Sequence, residues 1–495
     1  MLKALFRKKS IKELVSDVSE TENKVELKKS LTAWHLIFLG IGAIIGAGLF
    51  VRTAAAAANY AGPSVTIGFM LAGFGCLFAG LCYAEFASMI PKSGSAYTYS
   101  YATMGELTAW IIGWDLVLEY ALGAATVSIA WSEYLNKLLV YFDLRIPFAW
   151  SHSPFEFIKN TGGQMVDHGI MNLPALFIII LLSFLLIKGV RESSFVNSII
   201  VITKVTIVIL FIIIGWHFIN PANLKNYIPA NSIHFDSQGV PHHFGGFLGI
   251  IGAAGTVFFA FIGFDAVSTA AQESKNPKKD MPIGILGSLI ICTILYILFA
   301  HVLTGVGTIT DFRTAGKEAS VTFVIQKYMH GFGWLAASIT VAILAGFSSV
   351  ILVMLYGQSR VFYSMSHDGL IPKQFSDIHS KYRTPYKSNL IFLLFVGLFA
   401  SFVPGEIVGD MTSIGTLFAF VLVCIGVWIL RKTNPDLKRE FRTPLVPYVP
   451  LIGIGACLLM IIGLGWANWL RLLVWLVIGL VIYFSYSIRH SKLRK

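Results

Sequence analysis

The chain has 495 residues, of which 56% are hydrophobic and only 13% charged, roughly half the charged fraction of soluble domains. So much apolar mass excludes a disordered chain, and five cysteines with neither a CxxC pair nor metal-ligand spacing exclude a disulfide scaffold or a zinc module. The formal charge of +12 does not mark a nucleic-acid binder, because the basic residues are scattered through connections between long apolar runs.

A membrane-crossing helix needs roughly 20 mostly apolar residues. About twelve such runs follow one another, at 33–60, 64–90, 106–134, 171–188, 195–216, 245–270, 282–306, 332–356, 388–404, 411–430, 446–465 and 468–487. They are too long and too uniform for the short alternating strands of a barrel, so the expectation is an all-α integral membrane protein. Residues 1–30 are polar and carry no short apolar core with a cleavage site, so they read as a cytoplasmic tail. With the N-terminus inside, 28 of the 38 lysines and arginines fall on the inner side and 9 on the outer, with Lys204 left within a span. The positive-inside rule then puts both termini, including the tail 488–495, in the cytoplasm of a cell-membrane protein. Anionic lipid headgroups suit these basic inner loops.

The first span contains Gly40-Ile-Gly-Ala-Ile-Ile-Gly-Ala-Gly-Leu-Phe50. Its spacing imitates a dinucleotide loop, but that loop needs a preceding strand and a βαβ unit, and the flanks here are apolar helix. Two readings stay open: a small-residue face for helix packing, or a helix that unwinds near Ile44–Gly48. The sixth span matches it, with Gly249, Gly252 and Gly255 ahead of the aromatic cluster Phe258–Asp265. Interrupted first and sixth spans are what an inverted five-plus-five repeat produces. The halves would cover 31–216 and 244–431, followed by two further helices at 444–487. A break frees N–H groups on one side and carbonyls on the other. The first can hold a carboxylate and the second an ammonium, which suits a zwitterionic amino acid.

Several motifs resemble the amino acid–polyamine–organocation superfamily, closest to bacterial relatives of the cationic amino acid transporter branch. They are Gly42–Phe50, Tyr83-Ala-Glu-Phe86, Pro91–Tyr97, Phe258–Asp265, Asn276–Gly284 and Arg360–Pro372, and the resemblance runs from about residue 25 to 488. It implies a LeuT-like fold of twelve transmembrane helices, with helices one and six broken at mid-membrane. It also implies secondary transport by alternating access. By position, the substrate carboxylate would meet backbone N–H groups at Gly46, Ala47 and Gly48. The α-ammonium would meet carbonyls near Ile44, Phe259 and Ala260, with Ile262 close by and Phe259 as aromatic lid. Ala47 departs from the Ser or Thr of many relatives, so a hydroxyl contact to the carboxylate is lost.

Lys204 lies about nine residues from either end of the fifth span, roughly 13 Å from each interface at 1.5 Å per residue. A lysine stem cannot snorkel that far, and charges at such depth are costly and functional by default. It is either a permanent structural cation on helix-end carbonyls or a proton carrier. The resemblance favours a lysine standing in for a sodium ion near the first break, close to Ser348 and Ser349 of the eighth span. Asp115 and Glu119 share one face of the third span, as a hydrogen-bonded pair or, for Glu119, as a border of the substrate site or proton route. Glu85 and Asp265 suit gating or loop anchoring. Met354 matches a family position facing the substrate side chain, where an adaptable thioether suits small or medium neutral groups.

No HExxH, GxSxG or P-loop is present, and paired breaks suit an occluded site better than a channel. The expectation is therefore a transporter and not an enzyme, taking up L-amino acids by proton symport, with no cofactor and sodium the less favoured ion. The alternative is exchange of amino acids, cationic amino acids or polyamines. Oligomeric state and any accessory subunit are not derivable from the sequence.

Overall fold

The computed structural model describes residues 6–9, 31–90, 94–159, 165–188, 194–236, 239–271, 274–316, 320–382 and 384–494. Most of the tail 1–30, and Pro91–Ser93 at the start of one motif, lie outside the described residues. Among those described, each apolar run coincides with helix. Eight helical stretches are long and apolar enough to cross a bilayer, and four shorter apolar helices accompany them.

The first span is two pieces. Helix α1 (Ala33–Ile44) stops at an extended Ile45, and the chain resumes as α2, a helix over 48–61 whose turns at Gly48–Arg52 and Ala57–Ala61 are wide. After α3 (Val65–Met89) and the short α4 (Ser95–Thr103), α5 (Glu106–Val140) carries another wide turn at Leu118–Leu122. Helices α6 (Leu173–Lys188) and α7 (Ser194–Trp216) follow. The sixth span is also divided. Helix α8 (Gly246–Phe258) tightens into a turn at Phe259–Phe261, Ile262 is extended, Gly263 has φ +109°, and α9 (Ala266–Thr269) completes it.

The remaining long helices are α10 (Pro277–Val306), α11 (Gly333–His367), α12 (Tyr386–Phe402), α13 (Gly405–Thr433), α14 (Tyr448–Gly463) and α15 (Trp466–Ile482). Helix α11 runs eleven residues past the expected end at 356, so much of the Arg360–Pro372 motif is helical. Helix α10 packs along α3 and α1, and α11 packs along α5. Ile202, Ile209 and Ile213 on α7 and Leu473, Val477 and Val481 on α15 face outward. Such exposed apolar rows belong against lipid tails. Two antiparallel hairpins that the hydropathy did not indicate occupy connections: β1 (Phe157–Lys159) with β2 (Met165–His168), and β3 (Ser232–Phe235) with β4 (Pro241–Phe244).

The breaks fall where expected, but the glycines divide the work differently. Gly252 gives room to Tyr60, where a Cβ would come within 2.5 Å of the ring, and Gly255 lies against the Met460 carbonyl. With Gly249 they sit inside continuous α8 as packing positions, and the sixth-span break comes after them. The two breaks lie on one another. A Cβ on Gly48 would be 2.5 Å from the Ala260 nitrogen and closer still to its Cα, and Gly263 backs onto the Ala43 carbonyl.

One face carries both chain ends, where Arg7 donates to the Leu493 carbonyl at 3.2 Å. Two buried carboxylates tie that face together. Glu85 accepts from Arg431 at 2.9 Å and from the Thr443 N–H at 2.8 Å, and pairs with Arg439 at 3.0 Å, which fits the loop-anchoring expectation. Glu106 pairs with Arg494 at 2.9 Å and accepts from Tyr483 and Ser491.

Overpacking a close contact costs about 1–3 kcal/mol or more. Gly48→Ala, facing immobile backbone, is expected to cut the yield of folded protein sharply and lower its melting temperature. Gly46→Ala, whose Cβ would meet only Val350 at 3.5 Å, should melt close to the parent. Thermal unfolding in detergent, followed by intrinsic fluorescence, compares the two.

Candidate functional site

The divided helices leave carbonyls at the end of α1 without the next turn's N–H groups. Three of them are met by side chains. The Lys204 ammonium on α7 donates to Gly42 at 3.0 Å and Ile45 at 3.1 Å. The Tyr296 hydroxyl on α10 lies 3.0 Å from the Ile44 carbonyl and 2.9 Å from the Ala260 carbonyl of the other break. Lys204 is 3% exposed, and its stem fits against α11 because position 346 is glycine. Ser348 does not serve the lysine; its hydroxyl bonds the Leu344 carbonyl of its own helix at 2.9 Å.

A cavity of about 310 Å³ leads from the breaks towards the face opposite the termini. Ala47 and Phe259 form part of its wall, with Thr126, Ile129 and Ala130 of α5. Farther out are Glu133, Glu156, Asp236, His234, His242 and Arg313. Partial burial, with Arg313 and His242 alongside, lowers the His234 pKa, while His242 pairs with Asp236 at 3.0 Å. Arg52 of α2 bonds Asp410 of α13 at 2.7 Å, donates to the Glu406 carbonyl at 3.1 Å, and lies 5.2 Å over the Phe259 ring. Asn468 supports Asp410 from the side at 3.3 Å. A guanidinium above the aromatic ring, held by a carboxylate from another helix, forms a bridge across the cavity floor.

Of the expected substrate residues, Ala47 and Phe259 reach this cavity; Ile44, Gly46, Gly48, Ala260 and Ile262 form the breaks behind it. Met354 is buried elsewhere on α11, with its sulfur against Gly123 of α5. Glu119 is fully buried beside Asp265. Asp265 accepts hydroxyl hydrogens from Tyr120 and, at 3.4 Å, from Ser95. Asp115 is equally buried, and among the described residues neither of its oxygens has a hydrogen-bond donor.

Two site residues escaped the sequence reading. Arg52 lies inside the first apolar run, one turn beyond Gly48, and enters the sequence reading only as one of the nine outer charges. Tyr296 is one tyrosine in an apolar run and carries no sequence signal.

The profile of the amino acid permease family matches residues 31–471. The chain belongs to the amino acid permease family. It is 45% identical over 492 residues to the branched-chain amino acid permease BcaP of Bacillus subtilis (strain 168), covering 99% of each chain. It is 40% identical over 495 residues to the methylthioribose transporter of the same organism, covering 100% of each. Cationic amino acid transporter 9, chloroplastic, of Arabidopsis thaliana is 37% identical over 418 residues, covering 84% of this chain and 68% of the relative. With its apolar helices, this permease is a multi-pass membrane protein and a transporter, not an enzyme.

Removing one partner of a sheltered ion pair leaves the other charge uncompensated. Arg52→Ala is therefore expected to lower uptake at limiting substrate by about tenfold. Asp410→Asn, which still accepts from Arg52, should lower it less. Initial-rate uptake by both variants in proteoliposomes checks the order.

Proposed function

We propose that this permease takes up neutral L-amino acids, branched-chain ones among them, in symport with protons across the cell membrane, with both termini cytoplasmic. The observation that carries the reading is the Lys204 ammonium on the Gly42 and Ile45 carbonyls. Those carbonyls belong to the same break that presents Ala47 to the cavity, so losing the lysine's proton loosens the structure that holds the substrate. Sodium is disfavoured because an ammonium already stands on the carbonyls it would need.

The substrate carboxylate meets the N–H groups at Gly46, Ala47 and Gly48, where the wide turn of α2 begins. The α-ammonium meets the carbonyls around Ile44, Phe259 and Ala260, with Ile262 adjoining. The apolar wall of Ala47, Ile129, Ala130 and Phe259 suits an aliphatic side chain, as does the 45% identity to a protein named for branched-chain amino acids. A sugar carries neither charge, so the paired breaks would go unused. Glu119 and Met354 border the pocket once it closes over substrate. The two halves, 31–216 and 244–431, are inverted repeats of a LeuT-like fold and rock about the paired breaks. Exchange of neutral or cationic amino acids is the competing reading.

Purified protein in liposomes, given labelled leucine or alanine with and without an inward proton gradient, tests this. Gradient-dependent accumulation is expected, and uptake only into vesicles preloaded with amino acid would establish exchange instead. Lys204→Ala should keep counterflow while losing accumulation by about tenfold or more, since a deep charge is worth several kcal/mol. Accumulation unchanged in that variant would remove the lysine from coupling. Met354→Ser is expected to admit bulkier side chains in the competition profile; an unaltered profile would place Met354 outside the site.

A further inference from the structure

We infer that the Tyr296 hydroxyl is a positioning group of the ammonium subsite: it pins the Ile44 and Ala260 carbonyls together and shares them with the substrate's α-ammonium. This rests on the amino acid reading above. Tyr296 stands on unbroken α10 and is wholly buried, its ring packed against Phe69 at 5.5 Å and Phe261 at 5.3 Å. The ring is therefore held between α3, through Phe69, and the second break, through Phe261, while its backbone stays on α10.

A phenol has one hydrogen. Its oxygen lies 3.0 Å from one carbonyl and 2.9 Å from the other, so at any instant it donates to one while the second faces its lone pairs. Two acceptors gathered around a single donor hydrogen leave acceptor capacity unused, and a buried carbonyl without a donor is costly. The two oxygens lie at most about 6 Å apart, and one tetrahedral ammonium bonds both where their separation is about 5 Å or less. The Gly42 and Ile45 carbonyls are bonded by Lys204. Ile44 and Ala260 thus share the single hydrogen of one side-chain donor. An arriving ammonium supplies the missing donor, and the tyrosine hydrogen settles on the carbonyl that the substrate leaves.

Equilibrium binding of leucine and of its deaminated analogue, 4-methylpentanoate, to purified wild type, Tyr296→Phe and a variant with 4-aminophenylalanine at 296 tests the inference. Losing one hydrogen bond to a charge-bearing site is expected to weaken leucine by about tenfold in Tyr296→Phe, leaving the analogue within about twofold. The arylamine, with an N–H for each carbonyl, should restore leucine to at least wild-type affinity. Leucine and the analogue falling by the same factor would reduce Tyr296 to a packing residue, and unchanged leucine binding would overturn the inference outright. If the phenylalanine variant does not fold, the arylamine variant decides alone. Wild-type leucine affinity with unchanged analogue binding supports the role, and parallel loss of both ends it. Failure of wild type to bind either leucine or alanine would instead sink the amino acid reading, and the inference with it.

Discussion

Backbone polar groups freed at membrane depth are the constraint on which this structure turns. Lipid offers no hydrogen bonds, so non-helical backbone survives there only when buried in protein or lining a wet cavity. Two helices are nevertheless interrupted, at Ile45 and at Ile262. The structure meets the demand by laying one break on the other, Gly48 against Ala260 and Gly263 against Ala43. It then brings in two side-chain donors from unbroken helices, Lys204 and Tyr296. The same freed groups that threaten stability are what a zwitterion can use, so in the proposed reading the liability and the binding site are one feature.

The surroundings of the breaks are unequal on the two sides. Towards the face opposite the termini there is open volume, bridged at its floor by Arg52 and Asp410. Towards the termini, the buried polar groups among the described residues include several carboxylates. Asp265 draws on the hydroxyls of Tyr120 and Ser95, with Glu119 alongside and Asp115 a turn away. Beyond these the face is tied by Glu85 and Glu106 to arginines late in the chain. Buried polar atoms without donors cost about 1–3 kcal/mol each. In the proposed alternating-access cycle these groups meet water when the permease opens to that side.

Much of this was legible in the sequence, for identifiable reasons. Span positions follow from the length of apolar runs, and the first break from glycines that let backbone depart from helix near Ile44–Gly48. Lys204 stood out because a charge at that depth is costly and needs specific partners, whether as a structural cation or as a proton carrier. The limits have physical causes too. Gly249, Gly252 and Gly255 look like a helix breaker but provide room for Tyr60 and Met460, and spacing alone cannot separate close packing from unwinding. The hairpins at 157–168 and 232–244 are short pairings within loops, below what hydropathy registers. The end of α11 at His367 lies past the apolar run because its last turns are held by protein contacts, Phe362 against Phe375 and Phe392, and not by lipid. Met354 carries no hint of its packing against Gly123, since which way a helix faces its neighbour is a tertiary fact.

The two donors at the breaks differ in a way that bears on coupling. An ammonium can lose its proton and its charge together, whereas a phenol keeps its hydrogen through the physiological range. In the proposed mechanism, deprotonation of Lys204 releases the Gly42 and Ile45 carbonyls while Tyr296 still holds Ile44 and Ala260. One stretch of unwound backbone thereby carries two independent hydrogen-bond accounts, one answering to the proton and the other to the substrate. Residues 44 and 45 are adjacent, so a change in one pair of bonds alters the direction in which the next carbonyl points. Coupling between proton and amino acid then needs no long relay through the protein. In that mechanism two successive peptide units, one carrying the Ile44 carbonyl on a fixed donor and the next the Ile45 carbonyl on a titrating one, make each ligand's hold depend on the other.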